Sequence, residues 1–512
     1  MTKYILVKDE LYQSGGDNYK YHRDIGKKMF LTDEEILMKC DASLKNDDVY
    51  PDQRRVIAIG DIHGDLEALL VLLEEVTQVC KFNCQIRNNN EIKSYRDIPF
   101  EWIGGDTFIV IVGDIIDRKR DGSIEEDGLL VGEIENEEEI IMDLLNKITL
   151  EADKKGGKLI KLLGNHEVMN LFSCYNYVSK RTMKDNGGVD KRKELTKPGG
   201  MMAQKIIKCG TLGIVKIGDW IFVHGGILPA LVKAVKKSGV QNFISKANEL
   251  ARNMFLNTLS KTDDNKNRDL IKLYFVENDL EKVKREDFEN EADYTKIETD
   301  NLINKRNSML NERRLSIDNY AGIKVPISSM CSALRHAFKL LGYDSNINIV
   351  VAHSVQLERG LLRRSKTNPG YVSGYVYKNL ESDDAQRYVY VGPGKKYTKN
   401  LSNTDVDDVF PHGLNFECPH DTNNPQSGQL WRIDTGVSRG FDNDFLQDKF
   451  IPKKLVEKIL KARRPSALEI LYDEKIGYTT KVLVAKKGLT REWVNPDDHP
   501  DEGDIFKYSK KN

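Results

Sequence analysis

Five short apolar runs of this sequence end in clusters of Asp, His or Asn, and this repeated pattern constrains the fold more than any other feature. The five segments are "VIAIGDIHGD", "TFIVIVGDIIDR", "GKLIKLLGNHEVMN", "GIVKIGDWIFVHGGI" and "INIVVAHSVQ". Apolar runs of this length predict buried strands, and apolar side chains recur at helical spacing over residues 66–76. Ligand-binding groups of α/β sheets gather at strand ends. The sequence therefore predicts an α/β protein with a functional site at the ends of its strands.

Any one of these clusters has a simpler explanation. An Asp after a strand commonly caps the next helix, as Asp65 is placed to do, and a single His is commonly a surface residue. The chain has only nine His, however, and four of them follow predicted strands: His63, His166, His224 and His353. That recurrence favours one shared binding site over unrelated surface positions.

The side chains at these strand ends are of the types that bind divalent cations. Carboxylate oxygens and neutral imidazole nitrogens hold Mn²⁺, Fe²⁺ and Zn²⁺, and an open coordination position then activates water. The candidate ligands are Asp61, His63, Asp114, Asn165, His224 and His353. Two cations about 3.5–4 Å apart need a carboxylate that gives one oxygen to each. We interpret Asp114 as that bridge.

Composition excludes several other classes of protein. The 78 basic and 79 acidic residues nearly cancel, so no general nucleic-acid or membrane surface is expected. No segment approaches the roughly 18 apolar residues of a membrane-spanning helix. The seven Cys form an odd set without a CxxC pair, which favours reduced thiols. We expect a protein of the cytoplasm or another reducing intracellular compartment.

The domain organisation is predicted from shifts in composition. We expect an N-terminal extension over residues 1–50, a main domain over 51–440 and a C-terminal extension over 441–512 that packs on the main domain. Within the main domain, the acidic segment 121–153 predicts an exposed helix whose apolar face packs inward. The Lys/Arg-rich segment 176–208 is either a solvated loop or an attractant for an anionic substrate. The polar segment 255–320 is interpreted as a cap over the site.

Taken in order, the blocks "GDIHGD", "GDIIDR", "GNHE" and "HGGI" and the strand ending at His353 resemble the signature of the calcineurin-like metallophosphoesterases. Asp-Arg after the second Asp resembles the phosphoprotein phosphatase branch. Within that branch, "HGGI", "VVAHSVQ" and "LWRIDTGVS" are most similar to the bacterial-type or Shewanella-like protein phosphatases. The resemblance covers residues 56–438. It implies an α/β fold, a four-layer α/β/β/α metallophosphoesterase sandwich with helical insertions in the catalytic domain.

The resemblance also implies how the ligands divide between two divalent metal ions, which are Mn, Fe or Zn. One ion takes Asp61, His63 and Asp114, and the other takes Asp114, Asn165, His224 and His353. Asp114 is therefore the bridge in this assignment as well.

Three further roles follow from the same resemblance. His166 is similar to the family's general acid, held by the carboxylate of Asp117, and Arg118 corresponds to an arginine that contacts phosphate. A second such arginine is Arg313 in "SMLNERRLS", where Asn311 replaces the family's Trp and the neighbouring Arg314 is the alternative.

Two departures from the family pattern leave these groups intact. Lys119 stands where the family usually has Gly, and Ala352 stands where bacterial-type members often have Gly.

The leading functional hypothesis is a metal-dependent phosphomonoester hydrolase, in particular a serine/threonine protein phosphatase that acts through a two-metal-activated hydroxide on a phosphoprotein or phosphopeptide. One alternative is a dinucleoside polyphosphate or other nucleotide phosphohydrolase. The other alternative is a non-catalytic scaffold that keeps the metallophosphoesterase fold.

Overall fold

The fold is that of a computed structural model. It describes residues 33–43, 47–82, 98–119, 130, 133–259, 264–276, 307–315, 319–320, 323–324, 327–343, 347–354, 386–390, 396–400, 415–417, 430–436, 438–439 and 465–485. The predictions for residues 1–32, 120–129, 277–306, 440–464 and 486–512 concern segments outside the described residues. The predicted domain boundaries stay predictions.

The strands, in chain order, are β1 (Val49–Tyr50), β2 (Arg55–Ile59), β3 (Cys80–Phe82), β4 (Phe100–Trp102), β5 (Phe108–Ile111), β6 (Lys158–Leu162), β7 (Thr211–Leu212), β8 (Ile214–Ile217), β9 (Trp220–Val223), β10 (Asn319–Tyr320), β11 (Ile323–Lys324), β12 (Asn348–Val351), β13 (Gln386–Tyr390), β14 (Lys396–Asn400), β15 (Asn415–Glu417), β16 (Leu430–Arg432), β17 (Ser466–Asp473) and β18 (Gly477–Val484).

The helices are α1 (Asp33–Ser43), α2 (Leu66–Val71), α3 (Glu137–Lys154), α4 (Asn165–Leu171), α5 (Lys180–Asp185), α6 (Val189–Thr196), α7 (Met201–Lys208), α8 (Pro229–Lys237), α9 (Phe243–Leu256), α10 (Asp264–Ile271) and α11 (Ile327–Leu341). Single turns of π-helix at Leu72–Val76 and Lys272–Val276 continue α2 and α10.

Two six-stranded mixed sheets form the centre of the molecule. The first has the order β18-β17-β2-β5-β6-β7, and its strands β2, β5, β6 and β7 are parallel. The second has the order β1-β8-β9-β12-β16-β15, with β9, β12 and β16 parallel. β8 and β9 form the predicted hairpin, and all five predicted strands are present.

Alternation of apolar side chains along the strands explains the layers. In β2, Val56 and Ala58 join one buried cluster, while Ile57 and Ile59 join another. The first of these clusters draws alternate residues from both sheets, including Val350 of β12, so it is the core between the sheets. The second covers the outer faces, where α3 packs on β6 and α9 packs on β8. The predicted α/β sandwich of two sheets between helices is confirmed.

The acidic segment differs from its prediction. Most side chains of α3 are buried, including Glu137 and Glu138 in its first turn, so the predicted solvated acidic face is wrong for this helix. The physical reason is that buried arginines from other segments pair with both carboxylates. The basic segment forms helices α5, α6 and α7, and its Arg192 is buried.

The cysteine prediction also needs correction. Cys40 of α1 forms a disulfide with Cys209, which follows α7, and Cys331 is disulfide-bonded as well. Reduced thiols were therefore the wrong expectation for these residues, because 169 residues separate Cys40 from Cys209 and only the fold brings them together. Cys80 and Cys174 are free thiols. The cytoplasmic or other reducing compartment stays a prediction.

Among the described residues, we find no helix whose length and apolar content would let it cross a membrane.

Candidate active site

The strand-end side chains converge in one buried cluster, which we call the metal pocket: Asp61, His63, Asp114, Asn165, His224 and His353. Its centre is His224, which follows β9. The Nε2 atom of His224 lies 3.1 Å from Asn165 Oδ1, 3.1 Å from His353 Nδ1 and 3.2 Å from Asp114 Oδ2. The structure thus brings together all six residues that the sequence predicted as ligands, and their role in metal binding stays a proposal.

Three of these residues, Asp61, His63 and Asp114, occupy the loops after the parallel strands β2 and β5 of the first sheet. His63 Nε2 lies 3.6 Å from Asp61 Oδ2 and 3.8 Å from Asp114 Oδ2. The ring is oriented from its other side, because His63 Nδ1 lies 3.1 Å from the backbone carbonyl of Asp117. The imidazole therefore presents Nε2 to the two carboxylates.

The backbone is strained at the pocket. Four non-glycine residues here have positive φ: His63 (46°), Asp114 (48°), Asp117 (64°) and His353 (70°). A side chain in this left-handed region costs free energy, and such residues concentrate where geometry serves binding or catalysis. The loops are therefore held in this shape by their surroundings.

Glu167 supplies much of that restraint. Its carboxylate accepts hydrogen bonds from the backbone N–H groups of Asp114, Ile115, Ile116 and Gly164, at 2.7–3.2 Å. It therefore ties the loop after β5 to the loop after β6. Burial, followed by the charge of Asp114, raises the pKa of Glu167 to about 7. The sequence contained this residue in "GNHE", but the motif gave no reason to assign it a role.

Gly164 allows the close approach of these two loops. A Cβ atom built on Gly164 would lie 2.1 Å from Asp114 Oδ1 and 2.3 Å from the Asp114 backbone nitrogen. Any side chain at this position would therefore displace Asp114.

The donor set of the pocket fits divalent cations. His224 Nδ1 lies 2.7 Å from the carbonyl oxygen of Val112, so in the neutral ring Nδ1 carries the proton and Nε2 has a lone pair. Nε2 faces oxygen atoms of Asp114 and Asn165, so either a proton on Nε2 or a cation between these atoms must balance them. Burial opposes a charge on this ring, but the carboxylate of Asp114 raises the pKa of His224 overall. The buried Oδ2 of Asp61 accepts no hydrogen bond from any described residue. Both observations match the requirements of a cation site.

The pKa values of the pocket side chains reflect how closely its acidic groups and imidazoles are packed. Burial and the charges of Asp434 and Asp114 raise the pKa of Asp61 well above its usual range. Burial acts in the same direction on Asp114, but the charges of His224 and His166 bring its pKa well below its usual range. Burial and the neighbouring Arg313 hold the pKa of His353 low, which keeps this ring neutral. Neutral imidazole is the form that binds metals.

Two groups of three residues have ligand atoms close enough to share an ion. One group is His63, Asp114 and His166, and the other is Asp114, His224 and His353. Asp114 belongs to both, as a bridging ligand must. His166 appears in the first group in place of Asp61 because its Nε2 lies 3.7 Å from Asp114 Oδ2. Geometry alone therefore allows His166 to act as a ligand as well as a proton donor.

His166 and Asp117 form a hydrogen-bonded dyad. His166 Nδ1 lies 2.9 Å from Asp117 Oδ2, and a carboxylate only accepts, so Nδ1 donates this bond. The ring of Tyr177 packs edge-on against His166 at 4.9 Å between ring centroids. The remaining nitrogen, Nε2, points toward Asp114 in the metal pocket.

The two predicted phosphate-contacting arginines lie in different surroundings. Arg118 is buried, and its Nη1 donates to Glu137 Oε2 at 2.5 Å and to the Gly64 carbonyl at 3.4 Å. Arg313 reaches the metal pocket, where its Nε donates to His353 Nε2 at 3.1 Å. The alternative, Arg314, is buried and donates to Glu312 through Nε and Nη2. The structure thus brings Arg313 to the pocket and places Arg314 in a separate ion pair.

The block "LWRIDTGVS" supports the pocket from behind. Asp434 is buried beside Asp61, and burial raises its pKa to about 6. Ser438 Oγ donates to the His63 carbonyl at 3.1 Å. Arg439, which directly follows the block, donates to both carboxylate oxygens of Asp65, and Asp65 in turn caps α2 by accepting from Ala68. The sequence of the block resembles a family motif, but these contacts depend on the folded chain.

The comparisons with known proteins agree with this architecture. Residues 54–307, about half of the chain, match the model of the family described as Calcineurin-like phosphoesterase. The chain belongs to the calcineurin-like phosphoesterases, as its motifs predicted.

Two curated relatives carry the name of the predicted branch. The chain is similar to Shewanella-like protein phosphatase 2 of Arabidopsis thaliana, 28% identical over 34% of this chain and 46% of that protein. It is also similar to Shewanella-like protein phosphatase 1 of Plasmodium berghei (strain Anka), 30% identical over 34% of this chain and 39% of that protein. The chain thus matches less than half the length of either relative.

A solved structure of a cold-active protein-tyrosine phosphatase of a psychrophilic Shewanella aligns with 69% of this chain and 82% of its own length. It has 20% sequence identity and a TM-score of 0.36, which is too low to support a conclusion.

Proposed function

We propose that this protein is a metal-dependent phosphomonoester hydrolase that removes phosphate from phosphoserine or phosphothreonine in proteins. One observation carries the proposal: Asp114 belongs to two separate groups of candidate metal ligands, and the His166–Asp117 dyad faces it at 3.7 Å. Two adjacent cations and one positioned proton donor are the groups that phosphate ester hydrolysis needs. The names of the curated relatives support a protein substrate.

The proposed cofactors are two divalent ions, Mn, Fe or Zn. When bound, they would lower the pKa of a water toward neutrality and neutralise charge on the phosphate. Asp61, His63 and Asp114 would hold one ion, and Asp114, Asn165, His224 and His353 would hold the other. Glu167 holds the backbone N–H groups of Asp114 and of Gly164 in the neighbouring loop, so the bridging carboxylate does not need to reorganise when ions bind.

The proposed proton donor is His166. Asp117 accepts a hydrogen bond from Nδ1–H, which fixes the orientation of the ring and leaves Nε2 directed toward the pocket. In its doubly protonated form the ring can give the Nε2 proton to the oxygen of the departing serine or threonine, and it then remains as the neutral imidazole with its proton on Nδ1. An alkoxide is a poor leaving group, so this transfer lowers the barrier for the natural type of substrate.

The proposed phosphate contacts are Arg313 and Arg118. Arg313 lies against His353, where its guanidinium can reach an oxygen of a phosphate bound between the ions. Arg118 is paired with Glu137 and lies 3.6 Å from Asp65. It must therefore break its contact with one of these carboxylates before it can bind the substrate phosphate. We therefore assign the larger share of phosphate binding to Arg313.

A substrate panel tests the proposal. Phosphoserine, phosphothreonine and phosphotyrosine peptides and a dinucleoside tetraphosphate are assayed with Mn²⁺, Fe²⁺ and Zn²⁺ supplied separately. We expect phosphoserine and phosphothreonine peptides to give the highest kcat/KM. Preference for the dinucleoside tetraphosphate would favour a nucleotide hydrolase, and preference for phosphotyrosine would correct the substrate class. Absence of hydrolysis with any metal would favour a binding scaffold.

A further inference from the structure

Arg192 of α6 is the most enclosed basic side chain near the proposed proton donor. It belongs to the Lys/Arg-rich segment, yet it is fully buried, while its helix neighbours Lys191 and Lys193 are exposed. Burying a guanidinium is costly unless every N–H group finds an acceptor. Its position therefore requires a set of specific partners.

Those partners surround Asp117. Arg192 Nε and Nη2 both donate to Asn170 Oδ1, at 2.9 and 2.6 Å. Nη1 donates to Glu138 Oε2 at 2.8 Å and to Asn186 Oδ1 at 2.7 Å. Nη2 also donates to Asp117 Oδ1 at 3.4 Å. We call Arg192, Glu138, Asn170 and Asp117 the Arg192 network.

Two of these partners, Asn170 and Glu138, contact Asp117 in turn. Asn170 Nδ2 donates to Asp117 Oδ2 at 2.8 Å, which is the same oxygen that accepts from His166. Glu138 Oε1 accepts from the backbone N–H of Asp117 at 2.9 Å. Arg192 therefore acts on Asp117 by three routes: directly, through the side-chain amide of Asn170, and through the carboxylate of Glu138.

The strained backbone of Asp117 makes these contacts necessary. Its φ of 64° places an Asp in the left-handed region, where a residue stays only if its surroundings hold it. Without Arg192, the carboxylates of Glu138 and Asp117 would face each other without a cation. Electrostatic repulsion between the two negative charges would then displace Asp117 from its present position.

We propose that Arg192 is a positioning residue that holds Asp117, and through it the ring of His166, so that Nε2 faces the leaving-group oxygen. This inference rests on the proposed phosphomonoester hydrolysis for its catalytic meaning. Arg192 touches neither the metal pocket nor the substrate. It contacts Asp117, which in turn contacts His166, so it acts on the proton donor through one intermediate residue.

The kinetic test compares esters whose leaving groups differ in their need for a proton. A phosphoserine peptide needs protonation of its leaving group, while 4-nitrophenyl phosphate needs very little. The first variant is Arg192→Lys, which keeps the charge but cannot bond all three partners at once. The second is the double variant Arg192→Gln with Glu138→Gln, which removes both buried charges together and so avoids leaving one unpaired.

We expect both variants to lower kcat on the phosphoserine peptide about 10- to 100-fold more than kcat on 4-nitrophenyl phosphate. The matched control is Arg181→Gln, which lies in the same basic segment and pairs with Asp185. It should leave both rates unchanged. Equal losses on the two esters, or no loss on either, would overturn the positioning role.

A second readout does not depend on turnover. The proton on His166 Nδ1, bonded to Asp117, should give a downfield proton resonance that disappears in His166→Asn. We expect that resonance to shift or broaden in both Arg192 variants and to stay in place in Arg181→Gln. An unchanged resonance would overturn the inference. If the wild-type protein hydrolyses neither ester, the proposed function fails, while this resonance still decides whether Arg192 holds the dyad.

Discussion

The metal pocket and the Arg192 network are neighbouring buried clusters of charged side chains, and they differ in how their charges are balanced. In the pocket, the carboxylate of Asp61 lies close to Asp114 and to the neighbouring Asp434, and Asp61 Oδ2 accepts no hydrogen bond from any described residue. In the Arg192 network, the guanidinium pairs with the carboxylates of Glu138 and Asp117.

This difference indicates which cluster depends on something outside the chain. The Arg192 network supplies its own cation, so it can form as soon as the chain folds. The pocket has an excess of lone pairs and negative charge, and only protons or bound cations can balance it. Substitutions in the pocket should therefore act through metal binding, while substitutions in the network should act through the fold and the proton donor.

The largest effect is expected from Asp114→Asn. The amide removes one negative charge and the second anionic oxygen, so it cannot bridge two ions. We expect loss of bound metal and a fall in kcat/KM of about 10³-fold or more, the equivalent of several kcal/mol. Metal analysis of the dialysed protein and phosphatase assays measure both quantities.

The matched control for that experiment is Asp153→Asn, which removes a carboxylate that pairs with Lys158 on the surface. It should change neither metal content nor activity. Normal turnover and two bound ions in Asp114→Asn would remove Asp114 from the bridging position.

The second-largest effect is expected from substitutions in the dyad of His166 and Asp117. His166→Asn should lower phosphoserine hydrolysis by about 10²- to 10³-fold, within the usual range for general acid catalysis, and lower 4-nitrophenyl phosphate hydrolysis much less. Asp117→Asn should act in the same direction more weakly. Equal losses on both esters with metal retained would mean that the proton comes from another group. Loss of metal from His166→Asn would instead identify His166 as a ligand.

A stability measurement separates the two clusters directly. Glu138→Ala leaves Arg192 without its main partner, so we expect a loss of about 3–5 kcal/mol in unfolding free energy, with or without metal. Asp61→Asn should do the opposite in the metal-free protein, where it replaces a buried carboxyl group whose ionised form is disfavoured by burial and by the charges of Asp434 and Asp114. Its thermal midpoint should then exceed that of the metal-free wild type and gain less from added Mn²⁺. If metal-free Asp61→Asn had a lower thermal midpoint than the metal-free wild type, the pocket would not carry an unbalanced excess of acidic groups.

The smallest effect concerns Lys161 of β6, a buried cation that lacks a carboxylate partner among the described residues. Its ammonium donates to Asn146, and burial lowers its pKa from 10.5 to about 7. Between these values the unfolded chain binds up to one more proton than the folded chain, so stability rises with pH by up to about 1.4 kcal/mol per unit.

The variant Lys161→Met removes this group and should lose that part of the pH dependence. The difference in thermal midpoint between variant and wild type should therefore shift in favour of the wild type from pH 7 to pH 9. Parallel curves for the two proteins would show that Lys161 stays charged in the fold.

The sequence predicted which side chains converge at the strand ends because these signals are local, and their role as metal ligands stays a proposal. Asp61 and His63, like His224, directly follow apolar runs, and a strand end is recognisable from about ten neighbouring residues. The same reasoning predicted the strands and the hairpin at Gly218. Each of these features depends on a pattern that the chain carries in one short segment.

The Arg192 network could not be predicted in the same way. Glu138 and Arg192 belong to acidic and basic segments that look solvated, and they are 54 residues apart in the chain. The same holds for the disulfide of Cys40 with Cys209. Contacts of this kind depend on how α3, α4 and α6 pack, and no local periodicity records that packing.

A titration of metal-free protein with Mn²⁺, in which bound ions per chain and phosphoserine peptide turnover are measured on the same samples, tests the account most directly. The account predicts that turnover appears as two ions bind to each chain, and that Asp114→Asn gains neither. Full turnover without bound metal would contradict it. Two bound ions without hydrolysis of any phosphomonoester would contradict it equally.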